Sequence, residues 1–72
     1  MKFYVQKYRV TETCQNGKER QITKEILIPM ERDGHPLIIF NRGERAEALL
    51  REHHYYDIEF LYETTKDILI VE

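Results

Sequence analysis

The sequence predicts an α+β fold, with a mostly antiparallel sheet of about five strands in the order β-β-β-α-β-β and one helix packed on one face. Three observations lead to this fold class. Asn16-Gly17 lies between two long runs of alternating apolar and polar residues, a capping sequence begins at Asn41, and two further apolar runs follow the predicted helix. We expect residues 1–72 to form a single domain.

The turn between the first two strands, Phe3–Thr13 and Arg20–Met30, sets their register. A two-residue loop would mix apolar with charged side chains on each face of the hairpin. A three-residue loop over residues 15–17, with its final glycine in the left-handed conformation, separates them and pairs Cys14 with Lys18. We therefore expect the three-residue loop.

Charged residues of the hairpin support this register. Lys7 falls opposite Glu25 and Glu12 falls opposite Arg20, so opposite charges face each other across the two strands. The same register collects apolar residues of both strands on one face, namely Tyr4, Tyr8, Val10, Ile22, Ile26 and Ile28.

A third strand and a helix are predicted next. Asp33-Gly34 is a hairpin turn signal, and Leu37–Phe40 is short, apolar and rich in β-branched residues, as strands are. Asn41 at the N-cap and Glu44 at the third helical position form a reciprocal capping arrangement. We expect the helix to run from there through His53.

The predicted helix has one apolar stripe and one outward ion pair. Glu47 and Arg51 are four residues apart and in the favourable orientation for a pair on the exposed side. The residues expected to face the sheet, at spacing i, i+3, i+4 and i+7, are Ala46, Leu49, Leu50 and His53. Because few of these are large and apolar, the helix can cover only one face of the sheet.

Two more strands complete the predicted sheet. Tyr56–Tyr62 alternates apolar with polar residues, Glu63–Asp67 is expected to turn the chain, and Ile68–Val71 is apolar on both sides. The residues of these strands expected on the face under the helix are Ile58, Phe60, Tyr62, Ile68 and Ile70.

The face away from the helix is left with uncovered apolar residues. Contiguous apolar patches larger than a few hundred Å² are uncommon on monomers and mark interaction sites. We therefore expect a homodimer, or a complex with another protein, through an interface made of Phe3, Val5, Leu27, Leu61, Leu69 and Val71. The alternative is a sheet that curls into a small barrel, in which residues of opposite faces meet at the strand ends.

The composition excludes several classes of function. The chain is 33% charged and 42% hydrophobic, with one cysteine and no serine, so it has a globular balance and neither a serine nucleophile nor an internal disulfide. Cys14 and the three histidines lack the partners and spacing of a nucleophile or a metal site. No apolar run is long enough to span a membrane, and a free thiol fits the cytoplasm. We expect a non-enzymatic cytoplasmic protein without a cofactor or metal.

DNA binding is the alternative function. The outer face and tip of the first hairpin carry four basic residues suited to phosphate contacts, Lys7, Arg9, Lys18 and Arg20. The predicted order of three strands and a helix over residues 1–54, with Lys18 and Arg20 at the tip, loosely resembles the arm-type DNA-binding domain of phage and transposon integrases and matches no diagnostic motif. Residues 55–72 are acidic and therefore unsuited to phosphate.

Overall fold

The computed structural model describes residues 1–30 and 39–69, and the side chains of all of these except residues 39–41. Within these residues it contains three strands and one helix: β1 (Lys2–Thr13), β2 (Glu19–Pro29), α1 (Ile39–Glu52) and β3 (Tyr56–Asp67). The strands form one antiparallel sheet in the order β2-β1-β3. The predicted α+β class is confirmed, whereas the predicted five strands are not supported.

The first hairpin has the predicted three-residue loop. The backbone N–H of Gly17 donates to the carbonyl oxygen of Cys14 (2.9 Å), and that of Cys14 donates to the carbonyl oxygen of Lys18 (2.7 Å). Gly17 has a φ of 81°, the left-handed conformation that this loop requires and that glycine adopts without steric cost. The side chain of Asn16 accepts a further hydrogen bond from the backbone N–H of Lys18 (3.0 Å). The Asn-Gly pair therefore stabilises the loop as expected.

The register of β1 against β2 is also as predicted. Lys7 lies opposite Glu25 and Glu12 lies opposite Arg20, and the pairing continues along the hairpin without an irregularity. The side of the hairpin that faces the helix carries the expected residues, Tyr4, Tyr8, Val10, Ile22, Ile26 and Ile28.

The helix begins earlier than predicted. Because α1 starts at Ile39, the predicted strand Leu37–Phe40 is wrong in its second half, and its first half lies outside the described residues, as does the Asp33-Gly34 turn. Asn41 is inside the helix and is therefore not its N-cap. Periodicity does not distinguish so short an apolar run from the start of a helix, which explains the error. The strand order that resembles integrase domains is thus absent from the described residues.

The buried residues of α1 recur every four positions. Arg42, Ala46 and Leu50 are all buried. Leu49 is 40% exposed and His53 is exposed, so these two members of the predicted stripe are wrong. The predicted stripe did not include Arg42, because a charged side chain is rarely buried unless it is paired.

The last strand, β3, is longer than predicted and replaces two predicted elements. The expected turn Glu63–Asp67 is wrong, because these residues pair with β1 as far as Lys2 opposite Asp67. The segment contains no glycine, proline or asparagine, and its two threonines favour a strand. The predicted strand Ile68–Val71 is not formed at its first two residues, and the rest lies outside the described residues.

Two irregularities interrupt the pairing of β3 with β1. At the first, Leu61 is an extra residue between Phe60, on the helix side, and Tyr62, which lies opposite Lys7. Tyr62 is therefore on the face away from the helix, and its predicted place under the helix is wrong. The second irregularity contains Asp57, whose φ of 49° is in the left-handed region.

The core lies between α1 and one face of the sheet. Its buried members are Tyr8, Val10, Ile28, Ala46 and Leu50, with Tyr4, Ile22, Ile26, Tyr55 and Ile58 partly buried against them. Within the described residues β2 and β3 each pair with β1 and not with each other, so this sheet is open and does not close into the barrel considered as an alternative. No described element covers its other face.

Candidate functional site

The open face is the face of the sheet away from α1. Because side chains alternate along a strand and directly paired residues share a face, the register assigns its members. These are Phe3, Val5, Lys7, Arg9, Thr11 and Thr13 on β1, Glu19, Gln21, Thr23, Glu25, Leu27 and Pro29 on β2, and Tyr56, Glu59, Tyr62, Thr64 and Lys66 on β3.

One half of the open face is apolar. Val5 lies on the central strand between Leu27 and Thr64 and is only 7% exposed. Leu27 is 48% exposed on one side of it, and Tyr62 is 47% exposed on the other. Together with the half-buried Phe3, Val5, Leu27 and Tyr62 form what we call the apolar patch.

The other half of the open face carries charges that are paired within the chain. The Lys7 ammonium lies 3.9 Å from the Glu25 carboxylate and 6.0 Å from the centre of the Tyr62 ring. The Arg9 guanidinium donates a hydrogen bond to Glu59 across the β1–β3 pair (3.2 Å). Equal numbers of basic and acidic side chains therefore face each other here.

The six predicted interface residues are only partly brought together. Phe3, Val5 and Leu27 are neighbours on the open face. Leu61 is half-buried at the irregularity in β3, and Leu69 lies beyond the end of β3 with 87% of its surface exposed. Val71 lies outside the described residues.

The sequence analysis missed Tyr62 as a member of this site. Its side chain changes face because Leu61 interrupts the alternation of β3. Irregularities of this kind are commonly marked by glycine, and this stretch of β3 has none. Nothing in the local sequence therefore signals the change of face.

A buried polar network lies on the helix side of the sheet. Glu63 accepts hydrogen bonds from the Gln6 amide (2.6 Å) and from Nε of Arg42 (2.9 Å), and it is also paired with Nη2 of Arg42. Gln6 in turn accepts a hydrogen bond from the hydroxyl of Tyr8 (2.5 Å). The Arg42 guanidinium also lies 3.8 Å from the centre of the Tyr4 ring. The network ties α1 to both β1 and β3.

The network lowers the pKa of one of its members and raises the pKa of others. Hydrogen bonding from Arg42 lowers the pKa of Glu63, and this outweighs the raising effect of burial. Burial raises the pKa of Tyr8, and the nearby carboxylates of Glu47 and Glu63 add to this. The sequence signal for the network was Gln6, a polar residue at an inward position between two tyrosines.

Three of the four predicted phosphate contacts are already paired with carboxylates. Lys7 and Arg9 are paired as described, and the Arg20 guanidinium donates to Glu12 through Nε (2.9 Å). Lys18 is exposed at the hairpin tip. A DNA phosphate would have to compete with a carboxylate at three of the four positions.

The reactive side chains are dispersed. Cys14 is a half-buried free thiol beside the hairpin turn, and His53 and His54 are exposed at the end of α1. In residues 1–30 and 39–69 there is no group of three His, Cys, Asp or Glu side chains placed to hold a metal ion; His35 lies outside them.

The helix and the comparisons with known proteins give no further indication of function. The helix of the described residues is not long and apolar enough to cross a membrane. Comparison with protein-family models, with curated proteins and with solved structures finds no match to this chain.

Proposed function

We propose that this chain is a small non-enzymatic protein-interaction module that pairs with a second copy of itself through the open face. The observation that carries the proposal is the apolar patch, in which Leu27 and Tyr62 are each about half exposed on either side of Val5. Exposed patches of this kind lose unfavourable contact with water on association. A cytoplasmic location is part of the proposal, since Cys14 is a free thiol.

The charges of the open face favour a second copy as the partner. The basic side chains of this face, Lys7, Arg9 and Lys66, are matched in number by the acidic ones, Glu19, Glu25 and Glu59, so two copies of this face can approach without net repulsion. In an antiparallel arrangement, the basic side chains of one copy can also meet the acidic side chains of the other.

The size of the face is adequate for a dimer. Its strands have 12, 11 and 12 residues. With a rise of about 3.3 Å per residue and a spacing of about 4.8 Å, they cover roughly 500 Å² in projection. Specific interfaces bury about 600–1,000 Å² of accessible surface per partner. Because side chains protrude from the sheet, the accessible surface of the face is larger than its projected area and falls in that range.

The small core gives association an energetic role. Within the described residues the buried apolar side chains are Val5, Tyr8, Val10, Ile28, Ala46 and Leu50. A core in a chain of this length supplies only about 3–5 kcal/mol. Burial of the apolar patch would add to that stability.

The test is sedimentation equilibrium of the unmodified protein and of two matched variants. Leu27→Glu places a charge in the apolar patch, and Leu49→Glu places the same charge on the helix side, at a leucine of similar exposure. We expect the unmodified protein and Leu49→Glu to be dimers. Leu27→Glu should weaken the dimer by about tenfold or more, or about 1.4 kcal/mol.

Two results would contradict the proposal. One is an unmodified protein that stays monomeric at hundreds of micromolar. The other is an equal loss of the dimer in both variants, since that would show that the two copies do not associate specifically through the open face. Val5→Glu is a poorer test, because Val5 is buried within its own chain and the variant would also destabilise the monomer.

DNA binding by the first hairpin is the rival function, and it has less support. Lys7, Arg9 and Arg20 are each paired with a carboxylate, which lowers the positive potential available to a phosphate. We expect no retention of the protein on duplex DNA at low salt. Retention that weakens steeply with salt, and that Lys18→Glu abolishes, would favour DNA binding instead.

A further inference from the structure

A cleft of about 390 Å³ lies on the helix side of the sheet, between the first half of α1 and β3. Its lining includes the polar Gln6 and, on the two walls and floor, Tyr8, Gly43, Glu44, Glu47, Ile58 and Phe60. Its volume is within the range of pockets that hold small molecules. The cleft is on the side of the sheet opposite the apolar patch, so the two surfaces can be tested separately.

One wall of the cleft is apolar and aromatic. Phe60 is 46% exposed, and its ring meets the ring of the buried Tyr8 edge to face, with 5.5 Å between the ring centres. Ile58 lies beside it and packs against the core. This wall offers dispersion and edge contacts to an apolar body.

The opposite wall, on α1, is acidic. Glu47 forms the i, i+4 pair with Arg51 that the sequence predicts (2.7 Å), whereas Glu44 contacts no cationic side chain among the described residues. Tyr8 forms the floor of the cleft. Burial is the main cause of its raised pKa, and the nearby carboxylates of Glu47 and Glu63 raise it further. The charged residues that line the cleft are thus both acidic, which favours a cation as the ligand.

The glycine on the helical wall keeps this space open. Glycine inside a helix costs about 1 kcal/mol relative to alanine. Gly43 is inside α1 without a positive φ, and a Cβ built on it meets no atom of the described residues within 4 Å. Neither backbone conformation nor packing against the described residues requires glycine here, and any longer side chain would project beside the cleft.

We propose that this cleft binds a small molecule that joins an apolar, preferably aromatic, body to a protonated amine. The body lies against Ile58 and Phe60, and the ammonium group lies at the carboxylate of Glu44, with Glu47 beside it. This site is independent of self-association through the open face.

The test is a titration of ¹⁵N-labelled protein with the phenethylammonium ion, followed by backbone amide shifts. The neutral 2-phenylethanol, which has nearly the same shape, is the matched ligand. We expect saturable shifts at Gly43, Glu47, Ile58 and Phe60, and binding of the alcohol weaker by roughly fivefold or more, about 1 kcal/mol for one partly exposed charge interaction.

Variants locate the ligand within the protein. Gly43→Leu keeps a good helix former in α1 and fills the cleft, so it should abolish binding. Glu44→Gln should lower the affinity for the ammonium ion to that for the alcohol. Glu52→Gln is the same change at an exposed position outside the cleft, and it should leave the affinity for the ammonium ion unchanged. If Gly43→Leu does not fold, the two glutamine variants still decide the matter.

Three results would overturn the proposal. They are the absence of localised shifts at millimolar ligand, equal binding of the amine and the alcohol, and equal weakening by Glu44→Gln and Glu52→Gln. None of these results bears on self-association, which is read by sedimentation.

Discussion

His54 holds the end of α1 in a conformation that suits glycine better than histidine. Its φ is 67°. Its backbone N–H donates to the carbonyl of Arg51 (3.0 Å), and the next N–H, of Tyr55, donates to the carbonyl of Leu50 (3.0 Å). This is the Schellman arrangement, which satisfies the last carbonyl groups of the helix. It also directs Tyr55 against the core.

Replacing His54 by glycine should therefore stabilise the protein. We expect His54→Gly to raise the free energy of unfolding by about 0.5–1 kcal/mol, because glycine adopts this conformation without the steric cost of a Cβ. Urea denaturation measures the change. His53→Gly is the control and should lower stability, since that residue has no positive φ. A destabilised His54→Gly would show that the histidine side chain itself contributes.

The pairing of Glu63 with Arg42 should make stability depend on pH in the acid range. The pKa of Glu63 is lowered in the folded protein from its ordinary value of 4.5. A lowered folded-state pKa stabilises the protein fully above the unfolded-state value, and the stabilisation is lost as the pH falls through the lower folded-state value.

We expect Glu63→Gln to lower the free energy of unfolding by about 1.5–3 kcal/mol at neutral pH, because the guanidinium of Arg42 loses its partner in a buried position. The difference from the unmodified protein should shrink as the pH falls below about 4.5. Urea denaturation at several pH values tests this, with the exposed Glu52→Gln as the control. A difference that stays constant down to pH 3 would mean that the carboxylate charge is not what stabilises the network.

At the scale of the elements, two glycines should respond in opposite ways to the same substitution. Gly17→Ala should lower the free energy of unfolding by about 1–2 kcal/mol, because alanine is strained at a φ of 81°. Gly43→Ala should raise it by about 0.5–1 kcal/mol, since the site is helical and has room for a methyl group. Thermal unfolding of the two variants side by side is the measurement. Stability changes of the same sign in the two variants would contradict the assigned conformation of the loop or of the helix.

The first hairpin could be predicted from the sequence because two local signals agree. The Asn16-Gly17 turn permits few loop lengths, and only the three-residue loop matches Lys7 with Glu25 and Glu12 with Arg20. These signals lie within one continuous stretch of chain. Register, face and turn conformation were therefore all accessible.

The start of α1 and the length of β3 could not be predicted, because the local sequence at each place favours a structure that differs from the one formed. The capping pattern at Asn41 is compatible with a helix start, yet the helix begins at Ile39. The polar run Glu63–Asp67 resembles a turn, yet β1 extends far enough to pair with all of it. Pairing with a distant strand overrides a weak turn preference.

At the scale of the whole molecule, self-association should make thermal stability depend on protein concentration. A dimer is stabilised by mass action, so the unfolding midpoint of the unmodified protein should rise by a few degrees for each tenfold increase in concentration. Leu27→Glu should show little of this rise, and Leu49→Glu should retain it. Scanning calorimetry over a wide concentration range measures it, and a constant midpoint for the unmodified protein would argue for a monomer.

The candidate sites differ in how far the sequence reveals them. The neighbours Phe3, Val5 and Leu27 follow directly from the hairpin register. Tyr62, the Glu63 network and the cleft all depend on how β3 lies against β1 and α1. Such contacts join parts of the chain separated by dozens of residues, and the local sequence signals only one of the residues involved, the inward-facing Gln6.

The central position of β1 has a consequence for synthesis on the ribosome. The first hairpin can form early, since its two strands are adjacent in the chain. The other edge of β1 must wait for β3, because Lys2 pairs with Asp67. A nascent chain thus carries an unmatched strand edge until β3 has been synthesised as far as Asp67, and we expect the finished sheet to appear only after that point.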